Sequence, residues 1–187
     1  MHIPYYTIAQ IFGISEVILL LVKRSKKGAA KNQSDKSSLI ILWVAITGTI
    51  TLGALIATEG IWPFANATTV MNIGLAVAAI GFIIRWVAIL QLGKMFTVDV
   101  AITSDHTLKK TGLYKLIRHP SYLGLMLIIC SIALCMGNIL SCIVIIIPTF
   151  MALHYRIMVE ERALIAEFGD QYIAYKKNTA RLIPGIY

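Results

Sequence analysis

Charge is scarce in this chain. Only 14% of its 187 residues are Asp, Glu, Lys or Arg, against about 25% in an ordinary soluble domain. With a hydrophobic share of 58% and a strongly positive mean hydropathy, this excludes a typical water-soluble globule and points to a membrane protein. Cysteine is limited to Cys130, Cys135 and Cys142, all within apolar sequence and without metal-ligand spacing. They are expected to be small apolar residues, with no disulfide framework and no metal site. No GxGxxG follows a strand, so a soluble Rossmann-type dinucleotide site is excluded. The first apolar run lacks a basic start and has its basic cluster behind it, so it is not expected to be a cleaved signal peptide. There is no internal repeat.

What is present is long apolar sequence. Windows of spanning length run over 3–22, 38–57 and 70–92. A helix of about 20 residues crosses about 30 Å of hydrocarbon. A fourth block, 121–154, is too long for one span and is interrupted by Met136-Gly137-Asn138. It is expected to form a helical hairpin with Pro120 near its first N-terminus, where the missing N–H costs little. Each arm is short for a full span, so both are expected to extend slightly past the block. The expected fold class is an all-α membrane protein with five transmembrane helices, the last two forming the hairpin.

The basic residues follow that count. Lys23, Arg24, Lys26, Lys27, Lys31 and Lys36 lie between the first two spans, and Lys94, Lys109, Lys110, Lys115 and Arg118 between the third and fourth. Arg156, Arg162, Lys176, Lys177 and Arg181 follow the fifth. The opposite loops, 58–69 and 136–139, contain no Lys or Arg. The asymmetry predicts an N-terminus outside and a C-terminus in the cytoplasm. The net charge of +8 is then topological, with anionic head groups as neighbours, and its placement argues against nucleic acid. Asn66-Ala67-Thr68 is a glycosylation sequon close to the third span and carries little weight.

By composition the chain divides into 1–92, three spans with a basic cytoplasmic loop at 23–37, and 93–187, which holds nearly all the possible chemistry. The linker from Lys23 to Ser38 reads as a mobile, solvated loop. Three polar groups stand out: "SDHTLKKTGLY" at 104–114, "RHPSY" at 118–122, and the segment 154–187. The hairpin returns the chain to one face, so all three are expected to meet where cytosol meets lipid. Arg156 and Glu160 are four apart on one helical face. Gly169 is expected to end that helix, Tyr172 and Tyr175 to begin a short one, and Pro184 to stop regular structure.

Each of these residues also has an ordinary reading. Arg156 and Glu160 make a surface i,i+4 pair, Lys115 and Arg118 are membrane-surface anchors, His119 caps a helix, and the tyrosines form an interfacial belt. That reading is retained for Lys110, Arg162, Lys176 and Lys177, and His154 is expected to be interfacial packing. Glu16 and Arg85 lie at membrane depth, where an ionisable group is costly. Structural pairing within the bundle is the preferred account of them, Arg85 being near enough to the interface to snorkel.

The order of "GLYKLIRHPSYLG" at 112–124 and "EERALIAEFGDQYIAYKKNTARLIPGIY" at 160–187, separated by the hairpin, resembles the isoprenylcysteine carboxyl methyltransferase family. The resemblance covers residues 90–187. It implies an integral membrane enzyme using S-adenosylmethionine, with a cofactor site formed on the cytoplasmic face by the C-terminal half. Carried over by position, it assigns His106, Thr107, Leu108, Lys109, Tyr114, His119, Pro120, Ser121, Tyr122 and Glu160 to the cofactor. Arg156 is assigned to the methyl acceptor and to catalysis. The family pattern usually has a hydrophobic residue where Lys109 stands, and its earlier polar residue falls here on Ala101 or Ile102, so that contact is not carried over.

Physical chemistry agrees with those roles. A carboxylate such as Glu160 binds an amino group or ribose hydroxyls through charge-assisted hydrogen bonds. His119 and the N–H groups at a helix start bind a carboxylate, and Tyr114 and Tyr122 flank adenine. A carboxylate acceptor is already ionised at pH 7 and needs only alignment and partial desolvation. An amine must first lose a proton, and His119 is assigned to the cofactor, so O-methylation is favoured over N-methylation. The expected acceptor is a lipid or prenylated molecule, typified by an isoprenylcysteine carboxylate. The alternatives are a phospholipid N-methyltransferase, a membrane reductase using NADPH, for whose 2′-phosphate no distinct basic cluster stands out, and a non-catalytic scaffold.

Overall fold

Asn138 interrupts the long apolar block. Its side chain accepts the Ser141 backbone N–H at 2.7 Å, and Gly137 before it takes φ +83, a conformation that disfavours any side chain. The chain therefore turns at Met136-Gly137-Asn138 and folds back as the expected hairpin. The computed structural model describes residues 3–22, 33–93, 96, 107–185 and 187. Among them are six α-helices: α1 (Ile3–Val22), α2 (Gln33–Thr58), α3 (Ala67–Leu92), α4 (Pro120–Cys135), α5 (Ile139–Phe168) and α6 (Asp170–Lys177). A 3-10 turn, Gly112–Lys115, precedes α4.

Four of these helices, α1, α2, α3 and α5, are long and apolar enough to cross a membrane by length and composition. The hairpin arms are unequal, contrary to the expectation that both would lengthen slightly. At 16 residues α4 is about 24 Å long. Its start is fixed because the backbone N–H groups of Arg118 and His119 donate to the Ala180 and Arg181 carbonyls at 2.9 and 3.2 Å. Pro120 then supplies the first helical residue. By contrast α5 has 30 residues, about 45 Å, because the helix-forming run VEERALIAEF continues past the apolar block. It ends where Gly169 takes φ +50, and α6 comes next as expected. The loop expected over 23–38 differs too: 23–32 lie outside the described residues, whereas 33–38 already belong to α2.

Small residues set how closely the helices approach. A Cβ built on Gly124 of α4 would stand 2.6 Å from the Arg85 backbone nitrogen and 2.7 Å from the Gly81 carbonyl oxygen of α3. Only glycine permits that crossing. Between α2 and α5, Ser141 Oγ donates to the Gly53 carbonyl at 2.7 Å, and the Thr49 and Thr149 hydroxyls meet at 3.3 Å. Cys130, Cys135 and Cys142 are free thiols in this packing.

Glu16 and Arg85 do pair. Arg85 Nε and Nη2 each donate to a Glu16 carboxylate oxygen at 2.7 Å, and Nη1 donates to the Ser121 carbonyl at 3.0 Å. Both side chains are buried, so Arg85 reaches across to α1 and α4 and does not snorkel outward. One pair thus ties α1 and α3 to the first turn of α4.

The two ends of the bundle differ. At one, the Phe64 N–H donates to Gly137 O and the Ile139 N–H to Trp62 O, both at 3.0 Å, joining the two turns that lack Lys and Arg. At the other, the segment leading into α4 runs parallel to residues 179–182, with Ile117 bridged to Ala180. The polar groups singled out from the sequence, as far as they lie among the described residues, gather at this second end.

Candidate active site

Three of the charged residues in the second half of α5, Arg156, Glu160 and Glu161, stand in three environments. Arg156 is 1% exposed. Its Nε donates to the Tyr122 hydroxyl at 3.3 Å and its Nη1 to Ser38 Oγ at 2.8 Å. One guanidinium thereby joins the start of α2 to the start of α4. One turn on stands Glu160, its side chain 27% exposed. Its Oε1 lies 3.9 Å from His119 Nδ1, while its Oε2 is buried with no hydrogen-bond partner.

Glu161, rotated about 100° round the helix, is nearly enclosed by basic side chains. Its Oε1 faces Arg118 Nε at 3.0 Å, His119 Nε2 at 3.4 Å and Arg181 Nε at 3.4 Å. Its Oε2 faces Arg181 Nη2 at 3.1 Å and Lys176 Nζ at 3.3 Å. Both oxygens are saturated. This carboxylate ties α4, α5, α6 and the C-terminal segment together. Arg118 Nη1 also donates to the carbonyls of Lys176 and Thr179, which holds α6 against the entry to α4.

Tyrosines enclose the cluster. Tyr114 Oη donates to the Ala88 carbonyl at 3.3 Å, and the Tyr114 carbonyl accepts from Tyr175 Oη at 2.6 Å. Burial pushes the Tyr175 hydroxyl up to about 12, against the lowering charge of Arg118, so it remains a donor at neutral pH. Burial, helped by the charge of Glu160, also raises Tyr114. The His119 ring lies over Tyr122 with centroids 5.7 Å apart. Tyr187 closes the far side, bonded to His154 and accepting from Arg181 Nη1 at 2.7 Å, so His154 has a specific polar partner beyond packing.

The structure thus brings together Tyr114, His119, Pro120, Ser121, Tyr122, Arg156 and Glu160. Thr107, Leu108 and Lys109 lie just ahead of the 3-10 turn, exposed to half-buried, and His106 lies outside the described residues. Sequence reasoning missed Glu161 as the ionic hub, Arg181 and Lys176 as its partners, Ser38 as a partner of Arg156, and Tyr172, which is buried beside the cluster. The paired acids were the one available signal for Glu161.

A bundle of apolar helices of membrane-spanning length, with a buried ionic cluster at one end, defines a multi-pass integral membrane protein of the all-α class. The sequence profile of the isoprenylcysteine carboxyl methyltransferase (ICMT) family matches residues 73–166, and the chain belongs to that family. It is 30% identical over 176 residues to protein-S-isoprenylcysteine O-methyltransferase A of Arabidopsis thaliana, covering 92% of this chain and 87% of that relative. It is 35% identical over 117 residues to protein-S-isoprenylcysteine O-methyltransferase of Tribolium castaneum, covering 62% of this chain but 42% of that one. Its fold matches the solved structure of the eukaryotic intramembrane Ras methyltransferase ICMT with a TM-score of 0.73 and 27% identity, over 97% of this chain and 65% of that chain. The chain therefore spans less than half of the beetle relative and about two thirds of the solved chain.

Proposed function

We propose that this chain moves a methyl group from S-adenosylmethionine to the carboxylate of a lipid-like acceptor, of the isoprenylcysteine type that its relatives' names describe. The observation that carries the reading, beside the family, is the contrast between the two glutamates. Glu161 has no capacity left for a ligand. Glu160 has a buried, unpartnered carboxylate oxygen in the same cluster, and a buried acceptor of that kind demands a donor. The amino group and ribose hydroxyls of S-adenosylmethionine are such donors, so the residues present fit the cofactor. Thr107, Leu108, Lys109, Tyr114, His119, Pro120, Ser121, Tyr122 and Glu160 would hold it, with His106 assigned by resemblance alone.

The bound cofactor supplies an electrophilic methyl on a sulfonium. The protein's task is then to align and desolvate the acceptor. Arg156 offers a fixed cation for the acceptor carboxylate, held in place by Tyr122 and Ser38. His119 sits between two carboxylates, at 3.9 Å from Glu160 and 3.4 Å from Glu161. That position suits a group that orients the two acids. Residues 93–187 would carry the chemistry and 1–92 the supporting spans, although Ser38 and Gln91, which accepts the Leu113 N–H at 2.9 Å, reach in from the first half.

The test is labelled methyl transfer with farnesylcysteine analogues, phosphatidylethanolamine and a total lipid extract offered side by side. The farnesylcysteine carboxylate should be methylated. Transfer to phosphatidylethanolamine alone would replace this reading with N-methylation. Glu160→Gln should weaken S-adenosylhomocysteine binding by about 1.5–3 kcal/mol through loss of a charge-assisted hydrogen bond. Unchanged affinity would mean that Glu160 is not the ligand's acid.

The positive-inside asymmetry supports five crossings, with the short α4 as the fourth, the N-terminus outside and the site in the cytoplasm. A cysteine added after Tyr187 should be protected from an impermeant thiol reagent in intact cells. Labelling there, with none at a cysteine placed in 23–37, would reverse the topology.

A further inference from the structure

The pair of Glu16 and Arg85 uses only part of the guanidinium. Nε and Nη2 are taken by the two carboxylate oxygens at 2.7 Å, and Nη1 is left to donate to the Ser121 carbonyl at 3.0 Å. Stability is a poor account of this arrangement. A buried ion pair gains little over apolar side chains of the same volume, because both charges must be desolvated. Nor does Ser121 need the donor, since its carbonyl lies inside α4, where the helical ladder offers it the Leu125 N–H. What the contact adds is a fixed point. Gly124 sets how closely α4 approaches α3, and the 180–181 carbonyls hold the N–H groups of Arg118 and His119. Arg85 is a third anchor of the same turn, and its other end is held on α1.

Site residues stand on that turn. His119 comes two residues before Ser121, with Nδ1 3.9 Å from Glu160 Oε1. Tyr122 comes next after it, with its hydroxyl accepting from Arg156 Nε at 3.3 Å. The support continues along α3. Three residues after Arg85, the Ala88 carbonyl accepts from Tyr114 Oη at 3.3 Å, and three further on Gln91 Oε1 accepts the Leu113 N–H at 2.9 Å. Positions 85, 88 and 91 of α3 thus carry the segment that leads into the site, and Glu16 fixes the charged one. We propose that Glu16 is a positioning residue of the active site: through Arg85 it fixes the first turn of α4, and with it the placement of His119 and Tyr122 against Glu160 and Arg156. This rests on the methyltransferase reading and extends the working parts of the site to α1.

The experiment uses the full chain in detergent and measures thermal unfolding, S-adenosylhomocysteine binding and methyl transfer to a farnesylcysteine analogue on each protein. Glu16→Leu/Arg85→Met removes both charges and nearly keeps the volume, so it should unfold at or above the wild-type temperature. Its S-adenosylhomocysteine affinity should nonetheless fall about tenfold, the worth of one well-placed hydrogen bond. Its turnover should fall about a hundredfold, the scale of a misplaced reactant. A stable double variant with wild-type affinity and turnover overturns the proposal, for the pair would then serve the fold alone. Should the double variant not fold, Glu16→Gln decides. It keeps the side chain's size but turns one acceptor of Arg85 into a donor, which should let the guanidinium swing and lower turnover. Combined with Tyr122→Phe, it should lower transfer by less than the product of the two single losses, since both act through the first turn of α4. Losses that multiply, or a folded Glu16→Gln protein with wild-type turnover, overturn the proposal. A wild type that transfers no methyl group to any acceptor offered overturns the underlying methyltransferase reading, and this proposal with it.

Discussion

Glu161→Ala is expected to cost about 3–5 kcal/mol of folding stability, the range for removing one partner of a buried ion pair. The effect is large because one carboxylate serves several cations at once. Arg118 is the most affected, with a side chain only 8% exposed and Nε 3.0 Å from Glu161. Lys176 and Arg181, at 33% and 22% exposed, recover part of their solvation and contribute less. With the counter-charge gone, repulsion between Arg118 and Arg181 opposes the pairing of residues 116–119 with 180–181, and α6 loses its link to α5. The measurement is thermal unfolding in detergent, paired with limited proteolysis of 170–187. The variant should unfold earlier and be cut in that segment first. Glu161→Gln, which keeps the volume and drops the charge, should show a smaller loss in the same direction. A change within about 0.5 kcal/mol, the range of an ordinary surface substitution, would mean that the cluster holds nothing together.

That role could not be read from the sequence, for a definite reason. Glu160 and Glu161 are chemically identical and adjacent, and helical periodicity says only that they point about 100° apart. Which of them meets a ligand and which meets cations depends on where Arg118, Lys176 and Arg181 arrive, and those positions are set by the turn at Gly169 and the strand-like pairing of 117–119 with 180–181. Ser38 is hidden for a similar reason: in a run of Lys, Ser and Gly it reads as loop, yet it begins a buried helical face because Arg156 needs an acceptor there. Local signals fared better. Met136-Gly137-Asn138 marked the hairpin because only glycine suits its positive φ and asparagine caps the start of α5. Gly169 marked the end of α5 likewise. Glu16 and Arg85 were legible as a pair because two opposite charges at membrane depth have few other stable arrangements. The arm lengths were not legible, since apolarity measures the membrane crossing and says nothing of how far a polar helix continues beyond it.

Arg156→Ala should abolish most methyl transfer, by about a hundredfold or more, the scale on which misplacing a reactant lowers a rate, while S-adenosylhomocysteine affinity stays near wild type. Arg156 lies one turn before Glu160 on the same helical face, and its charge suits a carboxylate and opposes a sulfonium. The structure adds that the guanidinium is fixed from two sides, by Tyr122 on α4 and Ser38 on α2. A fixed cation aligns an acceptor without spending entropy at the moment of reaction. Alanine also strands those two partners, so some stability is lost, and turnover must be compared at a temperature where both proteins remain folded. Arg156→Lys is the sharper variant. It keeps the charge, but an ammonium lacks the planar fork that reaches Ser38 and Tyr122 from two different nitrogens, so only partial activity should return, with a raised KM for the acceptor. Full activity in Arg156→Lys would reduce Arg156 to a point charge. Loss of cofactor binding in a folded Arg156→Ala protein would move the residue from the acceptor to the cofactor, and the division of labour between Arg156 and Glu160 would fail.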